Sequence, residues 1–106
     1  MATIFVIRHQ GAREWMKKQS IEIDQWTDDI DLNNVKAGDV VIGILPMQLA
    51  AEVCEKGAEF IALQINVPKE MRGTELSLGD LEKMNCSLIP YFVAKTQSTF
   101  LNKNSF

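Results

Sequence analysis

One histidine and two cysteines are all the imidazole and thiol ligands in this chain of 106 residues, and the cysteines form no C-x-x-C pair. The usual zinc modules, which need several closely spaced thiolate or imidazole ligands, are therefore not indicated, and no metal or other cofactor is expected. Cys54 and Cys86 lie far apart in apolar patterns, which favours two buried, reduced thiols of a cytoplasmic protein over a disulfide. No apolar run approaches the ~20 residues of a membrane-crossing helix. The N-terminus lacks a charged start followed by a long apolar stretch, so no secretion signal is indicated. The G-x-G-x-x-G dinucleotide fingerprint and the Gly-rich P-loop are also missing, as is any defensible Ser-His-Asp arrangement. Excess positive charge is lacking too. The net charge of -3 makes long duplex nucleic acid a poor partner.

What charge there is falls in two blocks. Residues 8–18 carry Arg8, Arg13, Lys17 and Lys18 against Glu14 alone. Residues 22–39 carry Glu22, Asp24, Asp28, Asp29, Asp31 and Asp39 against Lys36 alone. An acidic protein with a local basic patch can still focus positive potential on a small anion.

A hydrophobic share of 46% is enough for one core, and the chain length suits one domain. Thr3–Ile7 and Val40–Ile44 are short, continuous apolar runs rich in β-branched residues, as in central strands of an α/β sheet. Gly11–Gln19 reads as a helix with Ala12, Trp15 and Met16 on its inner stripe. Ile21–Asp24 reads as a short strand, followed by a polar loop with a strand or turn around Trp26. Pro46–Lys56 reads as a second helix, opened by proline and stopped by Gly57, with Leu49, Ala50, Val53 and Cys54 inward. Glu59–Ile65 is a further strand. Ser77–Met84 is a short helix with Ser77 as cap and Asp80 three residues on. Ser87–Ala94 is a last strand, which Pro90 confines to an edge or a bulge. The expectation is one α/β domain over residues 1–94, with a mostly parallel sheet of about five strands flanked by helices. A flexible polar tail over 95–106 follows.

Sheets of this kind bind ligands beyond the carboxyl ends of their strands. Three unusual stretches fall there: Arg8-His9-Gln10-Gly11, Gly43-Ile44-Leu45-Pro46 and Gln64-Ile65-Asn66. A guanidinium can grip a phosphate with two donors, and an imidazole can move a proton near neutral pH. Arg8, His9 and Arg13 are accordingly the candidate catalytic residues. Gln10, Gly11, Gly43, Leu45, Pro46, Gln48, Asn66 and Arg72 are candidate ligand-binding residues. Gly11 would admit close backbone approach at a helix start, Gln48 would reach a base, Asn66 a sugar, and Arg72 would act from a loop around Gly73.

The string VIRHQG has the look of the histidine phosphatase motif R-H-G. Gln10 interrupts it, and the second histidine which that chemistry needs does not exist. The stretches FVIRHQGAREW, AGDVVIGILPMQLAAEVCEKGAEF and VPKEMRGTELSLGDLEKM give a closer match. With them the chain resembles the small Csx-type CRISPR-associated accessory proteins of type III systems over nearly its whole length. The polar extension after Ala94 is its main departure from that family. The resemblance implies a Rossmann-like, CARF-like fold and a homodimer that holds a cyclic oligoadenylate messenger across its two-fold axis. It also implies ring nuclease activity, with cyclic tetra-adenylate as the expected substrate. Cleavage would proceed without metal, by attack of a ribose 2'-hydroxyl on the adjacent phosphate. The alternatives are a non-catalytic module that binds or sequesters the messenger, and an interaction protein of the CRISPR apparatus.

Overall fold

The computed structural model describes residues 1–103. Its sheet is built from β1 (Thr3–Val6), β2 (Gln25–Thr27), β3 (Val40–Gly43), β4 (Glu59–Gln64) and β5 (Ser87–Tyr91) in the order β2-β1-β3-β4-β5. The first four strands are parallel, and β5 runs antiparallel to β4 at the edge. The helices are α1 (Gln10–Lys17), α2 (Met47–Glu55), α3 (Leu78–Lys83) and α4 (Thr99–Lys103). The small, mostly parallel α/β domain expected from the apolar runs is therefore present. Within the polar C-terminal segment, Thr99–Lys103 is helical, and residues 104–106 lie outside the described residues.

Side chains alternate across the pleat, and this divides the core in two. Ile4 and Val6 of β1 face α2 and pack with Ala50, Val53 and Cys54. Phe5 and Ile7 face the other way, onto Ala12 and Met16 of α1 and Leu81 and Met84 near α3. Trp15 and Leu49, expected inward, are only half-buried, and Ala51 is buried instead. Both cysteines are free. Cys54 is buried, while Cys86 is half-buried, with its thiol pushed up by desolvation.

The strand expected at Ile21–Asp24 is absent; pairing starts at Gln25. Its register is set by β1, with Ile4, Phe5 and Val6 opposite Gln25, Trp26 and Thr27. Asp24 fastens the start of that ladder. Its amide donates to the Thr3 carbonyl at 2.8 Å, and its carboxylate accepts from the Thr3 amide at 2.8 Å. Trp26 thereby lands on Phe5, with ring centroids 5.4 Å apart. The capping box at Ser77 and Asp80 forms as its spacing indicates. Pro90 sits in the edge strand, where a missing amide donor is tolerated.

Two glycines fix how the layers meet. A Cβ on Gly43 would lie 2.1 Å from the Val6 carbonyl oxygen, and one on Gly11 would lie 2.2 Å from that of Leu76. At the first, a bare backbone lets β3 close against β1. At the second, it seats α1 against the segment leading into α3.

Candidate functional site

From β1 the chain leaves through α1 to β2 on one side, while β3 lies on the other side of β1. The switch point of the sheet is therefore the gap between the carboxyl ends of β1 and β3, where open α/β sheets bind ligands. Arg8 and His9 emerge from β1 at that gap, both exposed. His9 is the extended residue that precedes α1, and its side chain makes no capping hydrogen bond.

Two cavities flank this ridge, and both are lined by Arg8 and His9. The first, about 370 Å³, lies between the ends of β1, β2 and β3 and the start of α2. Its apolar walls include Ile30, Leu45, Pro46 and Leu49, and Asp28 and Asp29 stand at its rim. The second, about 650 Å³, opens toward the loop after β4. Ile65, Val67 and Leu76 line its apolar part, while Arg72, Thr74 and Glu75 supply polar groups.

The two charge blocks of the sequence meet here. Arg8 is paired with Asp29, and Arg13 with Asp28. The hydrogen bond from Arg8 to Asp29, reinforced by the carboxylate's charge, raises the guanidinium pKa above its ordinary value. Arg13 also donates to the carbonyl of Ile7 at 3.3 Å, which ties the helix face to the strand end. The acidic loop is itself held in place. The Thr27 hydroxyl donates to the Asp29 carbonyl at 2.7 Å, and the Ile7 amide donates to the Thr27 carbonyl at 3.0 Å. Arg72 has no ion pair among the described residues.

The structure thus brings together Arg8, His9, Leu45 and Pro46 around the first cavity and Arg8, His9 and Arg72 around the second. Gly43 is buried beneath the switch point. Gly11 is buried too, and the space a Cβ would fill is taken by the backbone of Leu76 and Ser77, so packing requires the bare backbone there. Gln10, Gln48 and Asn66 are exposed and line neither cavity. Asp28 and Asp29 line the first cavity although sequence reasoning did not single them out, and Thr74 joins Arg72 from the loop around Gly73. The dense acidic block was the available signal for the first two, as the only run of charge opposite in sign to the basic block. Among the described residues, no group of three or more His, Cys, Asp or Glu is arranged to hold a metal ion, and no helix is long and apolar enough to cross a membrane.

Fold and site together define a small α/β domain with a charged, two-sided cleft at its sheet switch point. Residues 4–94 match the model of the family described as CRISPR-associated protein Cas_VVA1548. The chain belongs to that CRISPR-associated family. No curated protein and no solved structure matches it.

Proposed function

We propose that this protein is a ring nuclease that opens cyclic oligoadenylate, with cyclic tetra-adenylate as its substrate, and so switches off type III CRISPR signalling in the cytoplasm. The observation that carries this reading is the Arg8–His9 pair at the sheet switch point between two cavities, in a chain of a CRISPR-associated family. A strand-end arginine beside an imidazole and two ligand-sized cavities suits a phosphodiester flanked by nucleosides. In the step envisaged, a ribose 2'-oxygen bonds to the neighbouring phosphorus as the bond from phosphorus to O5' breaks. The 2'-hydroxyl loses its proton and O5' gains one, which leaves a 2',3'-cyclic phosphate and a 5'-hydroxyl. Arg8 stabilises the charge that builds on the phosphate oxygens and His9 transfers a proton, while Arg13, expected to hold the phosphate, lines neither cavity and instead steadies the strand end through Asp28 and the Ile7 carbonyl. No metal takes part in this scheme. A homodimer would present two such sites to a ring-shaped ligand, matching its symmetry. The exposed Met47, Tyr91 and Phe92 offer apolar surface for that contact.

Incubation with cyclic tetra-adenylate, followed by chromatography of the products, tests the reading. Linear fragments ending in 2',3'-cyclic phosphate, formed equally in chelator, are the expected result. Intact ligand after long single-turnover incubation refutes cleavage. A second reading, a module that binds or sequesters the messenger, draws on the pairing of Arg8 and Arg13 with carboxylates and on the single histidine. Tight binding without products would select it. Absence of binding would leave the role of an interaction protein.

A further inference from the structure

The two cavities share a wall but not a character. The first is lined by one guanidinium, Arg8, against two carboxylates, Asp28 and Asp29. The second is lined by two guanidinium groups, Arg8 and Arg72, against one carboxylate, Glu75. On the first side the charge of Arg8 is already met by Asp29. On the second, neither Arg72 nor Glu75 has an ion-pair partner among the described residues, and Thr74 brings a hydroxyl. The first cavity has the smaller volume and a slot of aliphatic walls made by Ile30, Leu45, Pro46 and Leu49.

A phosphate entering the first cavity would face two carboxylates, Asp29 already paired with Arg8 and Asp28 with Arg13, and no guanidinium left free to grip it. A flat heterocycle would instead cover apolar wall, and its exocyclic amino hydrogens would find carboxylate oxygens, which accept from base amino groups. A phosphate entering the second cavity would meet a guanidinium free to grip it with two donors. The structure assigns the two cavities different parts of one nucleotide ligand. The first is a nucleobase subsite selective for bases that carry an amino group, through Asp28 and Asp29. The second is a phosphate subsite built on Arg72 and Thr74. Arg8 and His9 stand between the two parts. This division rests on the nucleotide chemistry of the proposed function and goes beyond it by stating which side of the ridge reads the base.

The test uses fragments, so that it does not depend on cleavage. The full chain, labelled with nitrogen-15, is titrated separately with adenosine, inosine and inorganic pyrophosphate, and amide shifts are followed by NMR. Adenosine is expected to move the amides of Ile44, Leu45 and Leu49, and inosine, which has a carbonyl oxygen in place of the amino group, to bind about tenfold more weakly. The double variant Asp28→Asn, Asp29→Asn removes that preference. Pyrophosphate moves Arg72, Gly73 and Thr74 instead. Ile44→Trp, at an exposed position on the first cavity, abolishes the adenosine response and spares that of pyrophosphate. Arg72→Ala does the reverse. Shifts from both fragments in the same cavity, or equal affinity for adenosine and inosine, overturn the assignment even if cyclic tetra-adenylate is cut. Fragment maps as expected, in a protein that neither binds nor cuts the cyclic ligand, support the assignment while refuting the ring nuclease reading.

Discussion

The first cavity is walled by the sheet and α2, and the second by a loop. This difference in construction matches the difference in charge. Around the first, the strand ends of β1, β2 and β3 are locked by ladder hydrogen bonds and by the close approach of Gly43 to Val6. Around the second, the wall from Ile65 to Leu76 carries one short 3-10 turn, Lys69–Met71, and Gly73 at φ +84° with nothing within 4 Å of where its Cβ would be. A preformed slot suits recognition of a rigid heterocycle. A loop with an unpaired arginine suits a group that must be gripped, reacted and released.

The largest expected effect comes from breaking the wall that the two cavities share. His9→Ala lowers single-turnover cleavage of cyclic tetra-adenylate by about 10³-fold if the imidazole transfers a proton, while binding measured by calorimetry changes far less. An equal loss in both would make His9 a ligand contact and no more. The contrast between floor and loop gives the next effect. Gly43→Ala forces a Cβ into the Val6 carbonyl, so either β3 or β1 must shift. Urea unfolding should register about 3 kcal/mol of destabilisation, near the upper end for overpacking. Gly73→Ala meets no atoms but strains a left-handed residue, which costs about 1 kcal/mol. Similar losses at the two glycines would erase the distinction between a locked and an open wall.

How far the sequence anticipated this arrangement depends on the range of the interactions concerned. The strand-end position of Arg8 and His9 follows from one continuous apolar run, and the α3 cap follows from Ser77 and Asp80 three residues apart. Both are local signals. The failure at Ile21–Asp24 was one of register. Isoleucines at 21 and 23 look like a strand, yet pairing with β1 begins at Gln25, where the sequence allowed a strand or turn around Trp26, and only the partner strand decides between the two stretches. The same limit hid the ion pairs. Arg8 and Asp29 are 21 residues apart, and Arg13 and Asp28 are 15 apart, so their meeting depends on β2 lying beside β1. The packing need at Gly11 was hidden for the same reason, because the backbone that takes up the space of its missing side chain, at Leu76, arrives from the far end of the domain.

A smaller effect separates function from stability in the acidic rim. The Arg8–Asp29 pair is three-quarters exposed on both sides, and exposed ion pairs contribute little to folding. Asp29→Asn should therefore leave the urea midpoint near that of the unaltered protein, and Asp28→Asn, whose partner Arg13 is only 27% exposed, should lower it slightly, while both change ligand selectivity. A large stability loss in either would recast these carboxylates as struts for the first cavity.

The smallest effect is an acid limb that the two halves of the domain should share. Asp39 accepts hydrogen bonds from the amides of Ala2 and Lys36, at 2.9 Å each, and holds the starts of β1 and β3 together. Asp80 accepts from the Ser77 amide at 3.0 Å and caps α3 beside the second half of the core. Backbone donors favour the charged form in both, so each carboxyl titrates below its ordinary 3.8 in the folded chain. Because the folded pKa is the lower one, each contributes stability that is fully present above the unfolded value. That contribution is lost as pH falls through the unfolded and then the folded pKa. The stability difference between the unaltered protein and Asp39→Asn or Asp80→Asn should thus hold steady from pH 7 to about 5 and shrink below about 4. Thermal melts across that range read it directly. A difference that persists undiminished at the acid end would mean that the hydrogen bonds matter for shape alone and not for the charge they hold.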